Sequence, residues 1–315
     1  MIPLAEIRKA AAAIEGAAVR TPLLRLNVPE ADAEIFLKLE NLQPIGSFKI
    51  RGATNAIRQT SPDQLARGVV TASAGNMAQG VAWAAREAGV PCTVIVPDHA
   101  PQTKLAAIER LGGRVVKVTL DEWWNALLGS GMEGVEGVFV HPVADERVMA
   151  GNGTIGLEIV DDLPNPDAVL IPFGGGGLTT GIASALRAFA PQTKVFPVEP
   201  DTGAPLAASL AAGSPQEIDY RPSFVDGAGA RMVLPEMWPH VSELVDGSLT
   251  ASLDETAAAI RLLAERARVI AEGAGALGVA AALSGRAGTG RIVCVVSGGN
   301  IDFSTLSTIL AGNTP

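Results

Sequence analysis

The stretch VLIPFGGGGL, residues 169–178, joins a run typical of a buried strand to four consecutive glycines, Gly174 to Gly177. A helical pattern follows from Leu178 to Ala190. Glycine permits positive φ angles and lets the backbone approach an anion closely. The helix that follows presents unpaired N–H groups and the positive end of its dipole at the same point. The stretch therefore predicts an α/β protein with a phosphate site at this junction.

Similar β-branched runs alternate with alanine-rich helical stretches along much of the chain. Strands that are regularly separated by helices predict a parallel, doubly wound sheet with right-handed crossovers. Ligands of such sheets bind beyond the carboxyl ends of the strands. The predicted strands are Val69–Ala72, Cys92–Val96, Arg114–Val118, Val138–Val140, Val169–Ile171, Lys194–Val198 and Ile292–Val296.

The composition limits the classes of function. Of 315 residues, 48% are hydrophobic and 18% are charged, so we expect a globular protein with two lobes. The net charge of −9 opposes nucleic-acid binding. No apolar run is long enough to cross a bilayer, no secretory signal is visible, and Cys92 and Cys294 are typical of buried free thiols. We therefore expect a cytoplasmic protein with neither a nucleic-acid nor a membrane partner.

The glycine run does not match the two commonest nucleotide-binding loops. Thr179 and Thr180 occupy the last position of either G-x-G-x-x-G register, and the lysine of the G-x-x-x-x-G-K-[ST] loop is missing. The three histidines lie far apart, which disfavours a zinc site or a serine–histidine triad. A tight strand-to-helix turn is the structural alternative, but four glycines in succession favour an anion site.

Three further segments carry functional groups. Lys49 follows a Pro/Gly turn among apolar neighbours, where desolvation would lower its amine pKa and make it nucleophilic toward an aldehyde. The alternative is a surface lysine beside Arg51. Ser73–Met77 offers N–H groups that could bind a small anion; the alternative is an Asx-type helix cap. Ser297–Asn300 offers a hydroxyl group; the alternative is a plain turn. Taken with the glycine run, these groups suit pyridoxal phosphate, a phosphorylated aldehyde.

Five ordered blocks of the chain resemble the fold-type II pyridoxal-phosphate enzymes, and within them the threonine/serine dehydratase and serine racemase group. The blocks are ENLQPIGSFKIRGA at 40–53, ASAGNMAQGVA at 72–82, GNGTIGLEI at 151–159, GGGGL at 174–178 and SGGN at 297–300. The resemblance implies two doubly wound open-sheet α/β domains with the cofactor in the cleft between them. The large domain would comprise residues 1–67 and 146–315, and residues 68–145 would close over the substrate. It also implies a homodimer or a higher homo-oligomer.

The same resemblance implies a role for each matching residue. Lys49 would form a Schiff base with pyridoxal 5′-phosphate, and Phe48 would stack beside the ring. Asn76 would meet the phenolic oxygen of the ring, and Ser297 its pyridine nitrogen. The residues expected at the phosphate are Gly174, Gly175, Gly176, Gly177 and Leu178. Those expected at the substrate are Ser73, Ala74, Gly75 and Asn76.

The resemblance also implies an activity. Lys49 would remove the Cα proton of an amino acid, the β-hydroxyl would leave, and the product would hydrolyse to a 2-oxo acid and ammonia. Ser297 agrees with this, because a hydroxyl cannot keep the pyridine nitrogen protonated and so favours elimination over transamination. We expect an ammonia-lyase for threonine or serine, with phenylserine or 3-hydroxyaspartate as bulkier alternatives. A serine racemase, a cysteine synthase-like β-replacement enzyme, an inactive cofactor-binding protein and a nicotinamide oxidoreductase are less favoured.

The chain departs from the family pattern at several positions. Ala74 replaces the second serine of the racemases, which disfavours racemisation. Glu199 matches the first ligand of a divalent-cation site found in some members, but Pro205 stands at the expected aspartate, so we expect no metal. The pair Trp123-Trp124 falls about where racemase-like members carry a substrate-binding arginine. Such a pair is more often part of a core than of a pocket, but if Trp124 faces the site, it favours an apolar or aromatic β-substituent such as that of phenylserine. The chain stops at Pro315 without the regulatory domain of biosynthetic threonine dehydratases, so we expect no feedback control by that route.

Overall fold

The computed structural model describes residues 1–315 and contains ten strands in two sheets. The strands are β1 (Leu23–Arg25), β2 (Ala33–Lys38), β3 (Val69–Ala72), β4 (Cys92–Pro97), β5 (Gly113–Val118), β6 (Val138–Phe139), β7 (Ala168–Pro172), β8 (Lys194–Pro200), β9 (Leu249–Ala251) and β10 (Gly290–Val295). One sheet has the order β1-β2-β10-β7-β8-β9, and the other has the order β5-β4-β3-β6. All neighbours are parallel except β1 and β2.

Thirteen α-helices connect and cover these strands. They are α1 (Leu4–Ala13), α2 (Lys49–Arg58), α3 (Pro62–Leu65), α4 (Asn76–Glu87), α5 (Gln102–Arg110), α6 (Leu120–Leu128), α7 (Glu146–Asp162), α8 (Gly177–Phe189), α9 (Pro205–Ala212), α10 (Trp238–Ser242), α11 (Leu253–Leu262), α12 (Gly273–Leu283) and α13 (Phe303–Leu310). A 3₁₀ turn covers Glu40–Leu42, and a π-helical turn, Leu263–Ala267, follows α11 directly. None of the helices combines the length and the apolar character that crossing a bilayer requires.

All seven predicted strands are present, with bounds that differ from the prediction by at most two residues. The parallel sheets confirm the predicted α/β class. The sequence patterns did not predict β1, β2 and β9. Two of these have only three residues, which is too short for a periodic pattern to be recognised. The third, β2, ends in Lys38, a charged residue that is nevertheless fully buried.

Neighbouring residues of the central strands face different helices. In β7, Val169 and Ile171 pack in one cluster with α7 and α8, whereas Leu170 packs with α12. In β4, Val94 packs with α4 and α5, whereas Ile95 packs with α6. Because successive side chains of a strand point to opposite faces, helices cover both faces of each sheet. Both sheets therefore have the doubly wound arrangement.

Helix α2 lies between the two sheets and contacts helices of both. A Cβ on Gly151 of α7 would lie 2.6 Å from the carbonyl oxygen of Arg51, and a Cβ on Gly80 of α4 would lie 3.1 Å from that of Lys49. Only glycine lets both helices approach α2 so closely. Its first residue, Lys49, is therefore held where the two sheets meet.

The strands of the four-stranded sheet all come from residues 69–139, and those of the six-stranded sheet come from both sides of that segment. The predicted lobe boundaries, residues 1–67 with 146–315 and residues 68–145, stay a prediction.

Candidate active site

A cleft of about 510 Å³ opens at the carboxyl ends of both sheets. Segments that follow four parallel strands line it: Ser73–Met77 after β3, His99–Pro101 after β4, Gly174–Leu178 after β7 and Ser297 after β10. Phe48 and Lys49, at the start of α2, complete one wall. Every residue predicted at the cofactor or the substrate lines this cleft, except Trp124.

Lys49 projects into the cleft from the first turn of α2. Its Nζ donates a hydrogen bond to the carbonyl oxygen of Pro142 at 3.0 Å and lies 5.2 Å from the centre of the Phe48 ring. Burial lowers the pKa of the Lys49 amine to about 8, and the nearby Glu272 carboxylate counteracts part of this effect. The sequence predicted this lowered pKa from the apolar neighbours of the lysine.

The backbone around Lys49 is fixed to the segment after β10. The N–H of Phe48 donates to the carbonyl oxygen of Ser297 at 2.9 Å, and Ser47 forms a β-bridge with Gly298. The side chain of Ser297 is almost fully buried and lines the cleft. These contacts couple the position of the amine to that of the hydroxyl, although the two residues lie 248 positions apart in the chain (297 − 49).

Two residues further along α2, Arg51 belongs to a buried group of charges that we call the ion cluster: Lys38, Glu40, Arg51 and Glu158. Arg51 is 1% exposed, and it donates to both oxygens of Glu40 at 2.8 Å and to Glu158 at 2.7 Å. Lys38 Nζ lies 2.6 Å from Glu158 Oε2. Burial acts to lower the pKa of Arg51, but the two glutamates outweigh it and raise that pKa. Arg51 is therefore buried, and Lys49 lines the cleft, so the alternative of a surface lysine beside Arg51 is wrong.

The glycine run forms the turn between β7 and α8. Gly176 has φ +94°, in the left-handed region that favours glycine. A Cβ on Gly177 would lie 2.8 Å from the carbonyl oxygen of Val143. The turn therefore requires glycine at position 176 because of the positive φ angle, and at position 177 because a side chain would collide with the backbone of Val143. It leaves the N-terminal end of α8, with its unpaired N–H groups, facing the cleft.

The residues after β3 form a second turn of this kind. Asn76 is the first residue of α4, and no side chain caps the first N–H groups of this helix, because the residue before it is Gly75. Asn76 instead donates to Glu272 at 2.8 Å and accepts from the Nδ2 of Asn300 at 2.7 Å. The predicted alternative, an Asx-type cap, is therefore wrong. Ser73 Oγ accepts from the N–H of Gly75 at 3.3 Å, which shapes the turn.

Glu272 is a site residue that the sequence patterns did not single out. It precedes α12, is 6% exposed and lines the cleft. Burial raises its pKa to about 7, reinforced by the nearby Asp226, while the hydrogen bond from Asn76 acts against this. Within AEGAGAL, residues 271–277, it resembles an ordinary acid at a helix start, so only the fold reveals its place.

The two tryptophans of α6 occupy different environments. Trp123 lines the cleft, whereas Trp124 does not, and its side chain is 40% exposed. The ring centres lie 5.0 Å apart in an edge-to-face arrangement. Of the pair, Trp123 rather than Trp124 lines the cleft, because the helical period turns neighbouring side chains about 100° apart.

Glu199, which matches the first metal ligand of some family members, is held by hydrogen bonds at the start of α9. It is fully buried, with Oε1 accepting from the N–H of Leu206 at 2.8 Å and Oε2 from the N–H of Ala207 at 2.9 Å and from Ser248 Oγ at 2.8 Å. Burial raises its pKa to about 7 against these hydrogen bonds. The carboxylate satisfies the first N–H groups of α9, which begins at Pro205.

Comparisons with known proteins identify the family to which this chain belongs. The profile of the family described as "Pyridoxal-phosphate dependent enzyme" matches residues 14–298. The chain is 41% identical to an L-threonine ammonia-lyase of Thermotoga maritima over 315 residues, which cover 98% of this chain and 78% of that relative.

Two solved structures extend the likeness to three dimensions. The processed form of threonine deaminase isoform 2 from Solanum lycopersicum has a TM-score of 0.89 and 34% identity, covering 98% of this chain and 88% of that one. Maize serine racemase has a TM-score of 0.88 and 32% identity, covering 98% and 96%. The chain belongs to the pyridoxal-phosphate-dependent enzymes, with the fold-type II architecture.

Proposed function

We propose that this pyridoxal-phosphate-dependent enzyme is an ammonia-lyase that converts a β-hydroxy amino acid, L-threonine or L-serine, to a 2-oxo acid and ammonia. The observation that carries the proposal is the meeting of Lys49, the Gly174–Gly177 turn and Ser297 on one cleft. The similarity to an L-threonine ammonia-lyase and to a threonine deaminase supports the choice of reaction.

The residues of the cleft fit the cofactor. A partly buried amine with a pKa of about 8 suits an aldehyde, and a glycine-lined helix N-terminus suits a phosphate. Phe48, Asn76 and Ser297 line the same cleft and would hold the ring of the cofactor. When bound, pyridoxal phosphate supplies an electron-withdrawing ring that acidifies the Cα–H bond of the amino acid.

Lys49 is the base of the proposed reaction. General bases work best when their pKa lies near the working pH. Burial lowers the pKa of the Lys49 amine to about 8. The carbonyl oxygen of Pro142 accepts one of its protons and so orients the amine in the cleft.

The turn after β3 is the proposed site for the substrate carboxylate. Ser73, Gly75 and Asn76 line the cleft at the start of α4, a helix of 12 residues whose dipole favours negative charge at this end. A carboxylate held here keeps the Cα of the substrate close to Lys49.

Elimination is favoured over racemisation by the residue between Ser73 and Gly75. Ala74 lines the cleft and has no group that could exchange a proton with the substrate. A racemase needs a second acid or base on the opposite face of Cα. The similarity to maize serine racemase therefore supports the fold of this chain more than its reaction.

The assembly and the lobes are also part of the proposal. We infer that the enzyme works in the cytoplasm as a homodimer, and the free, buried thiols of Cys92 and Cys294 support a reducing compartment. Residues 68–145 act as the lobe that closes over the substrate. An ion pair between Lys104 and Asp226, which joins the two sides of the cleft, supports this role.

The decisive experiment measures both products. Holoenzyme is supplied with L-serine or L-threonine, and 2-oxo acid and ammonia are quantified together with D-serine. We expect equal amounts of 2-oxo acid and ammonia, and no D-serine. Accumulation of D-serine without 2-oxo acid would identify a racemase, and the Ala74→Ser variant serves as a control that restores a hydroxyl at the relevant face.

A further inference from the structure

Part of the cleft wall on the side of the four-stranded sheet is apolar, beside the polar residues Ser73, Asn76, His99 and Lys104. The apolar part is formed by Ala74, Pro97, Ala100, Pro101 and Trp123. The opposite side carries the amine, the glycine turn and Ser297 described above. The space that an amino acid would occupy is therefore bordered by the cofactor groups and by this apolar part of the wall.

Trp123 is the largest group in this wall. It packs against a buried cluster that contains Ala72 and Ile95, next to the carboxyl ends of β3 and β4. Its indole Nε1 is fully buried and has no hydrogen-bond partner. The part of the indole that is exposed is therefore carbon, which offers an apolar surface to a ligand.

The charges around the cleft do not favour an acidic substituent. Of the basic side chains that line it, Lys49 is required by the cofactor and Lys104 is paired with Asp226. The third, His99, is 66% exposed to solvent. Asp226 and Glu272 add two carboxyl groups to the lining. A second carboxylate on the substrate would find no unpaired buried cation here.

The position of the substrate carboxylate brings these observations together. Cα carries both the carboxylate and the β-carbon, so a carboxylate held by Ser73–Asn76 places the β-substituent within a few bond lengths of Ala74. Ala72, which precedes that turn, belongs to the cluster on which Trp123 packs. The β-substituent then lies in the cleft that Ala74 and the indole of Trp123 both line.

We propose that Trp123 determines the substrate specificity of this enzyme by packing against an apolar, preferably aromatic, substituent on the β-carbon. This inference rests on the proposed function and orders its β-hydroxy amino acid substrates by the apolar character of the β-substituent, with phenylserine as the probe. Aromatic rings pack edge-to-face or offset and gain stability beyond the area they bury. The acidic 3-hydroxyaspartate is the disfavoured member of the class.

The test compares kcat/KM of the holoenzyme for phenylserine, threonine, serine and 3-hydroxyaspartate, through release of the 2-oxo acid. Trp123→Ala should lower kcat/KM for phenylserine about tenfold, with less than about a twofold change for serine, since serine has no substituent to contact the ring. Trp123→Phe should restore most of the loss. The neighbouring Trp124→Ala variant should retain the wild-type ratio of phenylserine to serine.

The outcomes separate this inference from the proposed function. If wild-type enzyme releases a 2-oxo acid from threonine and serine but Trp123→Ala leaves the phenylserine-to-serine ratio unchanged, the specificity role is wrong and the ammonia-lyase stands. A higher ratio in Trp123→Ala would show that the indole blocks the cleft, and would also overturn the inference. If wild-type enzyme releases no 2-oxo acid from any of the four substrates, both proposals fail. Should Trp123→Ala fold poorly, Trp123→Leu gives the same comparison with an aliphatic side chain.

Discussion

Lys49 and Arg51 lie two residues apart at the start of α2, yet one belongs to the cleft and the other to the ion cluster. Lys49 has a single hydrogen-bond partner, a carbonyl oxygen, and a lowered pKa. Arg51 donates to two glutamates, and its pKa is raised. Burial acts to lower the pKa of both groups; at Lys49 this effect prevails, whereas at Arg51 the two glutamates outweigh it. The charged partners therefore decide which side chain becomes reactive and which stabilises the fold.

The largest expected effect comes from the cleft. Lys49→Ala removes the proposed nucleophile and base, so kcat should fall by about three orders of magnitude or more. Because the amine has only one partner, the melting temperature of the variant should stay close to that of wild type. Release of 2-oxo acid and thermal unfolding are the measurements. Turnover above about one thousandth of wild type would exclude Lys49 as the central residue.

The ion cluster should respond in the opposite way. Arg51→Met leaves Glu40, which is 0% exposed, without its counter-charge, so the free energy of unfolding should fall by about 3–5 kcal/mol. Chemical denaturation measures this loss. Arg25→Met is a matched control, because the Arg25–Glu34 pair is exposed and should contribute no more than about 1 kcal/mol. Equal losses in the two variants would contradict the role assigned to the cluster.

The smallest expected effect is a shift in the pKa of Lys49 when the nearby charge of Glu272 is removed. The ionised Glu272 raises the pKa of Lys49, so Glu272→Gln should lower it below about 8. Only the neutral amine attacks an aldehyde, and its fraction grows as pH rises through the pKa. The pH midpoint for uptake of pyridoxal phosphate by the apoprotein, followed by absorbance, should therefore move down by about half a pH unit.

Glutamine keeps an oxygen that can accept the hydrogen bond from Asn76, so the variant changes mainly the charge. Glu199→Gln is the matched control: Glu199 has a similarly raised pKa, to about 7, but lies outside the cleft. An upward shift in Glu272→Gln, or equal shifts in both variants, would contradict the proposed coupling.

Glu199 and Glu272 also show where sequence patterns lose information. Both carboxyl groups are buried, and both have a pKa raised to about 7. The first is surrounded by N–H groups and a hydroxyl, whereas the second borders the cleft beside Asn76. Neither environment can be predicted from the adjacent residues in the sequence, because the contacts come from residues that are distant in the chain or from a helix end.

Trp123 and Trp124 give a similar lesson at shorter range. The sequence left open whether the pair is part of the core or lies at the pocket, and one of its members, Trp123, lines the cleft. Which of the two faces inward depends on the rotation of α6 against the sheet. That rotation is set by the packing of Ala126 and Leu127 on Val70 and Ile95.

What the sequence determined by itself was local and repetitive: the seven strands, the glycine turn, and the residue types after the strands that pointed to pyridoxal phosphate. These follow from backbone periodicity and from the chemistry of single side chains. The tertiary structure alone decided that Arg51 pairs with Glu40 and Glu158, that Glu272 reaches Asn76, and that Trp123 rather than Trp124 lines the cleft. The physical reason is that burial, charge pairing and helix rotation arise from contacts between residues that the fold brings together from distant parts of the chain.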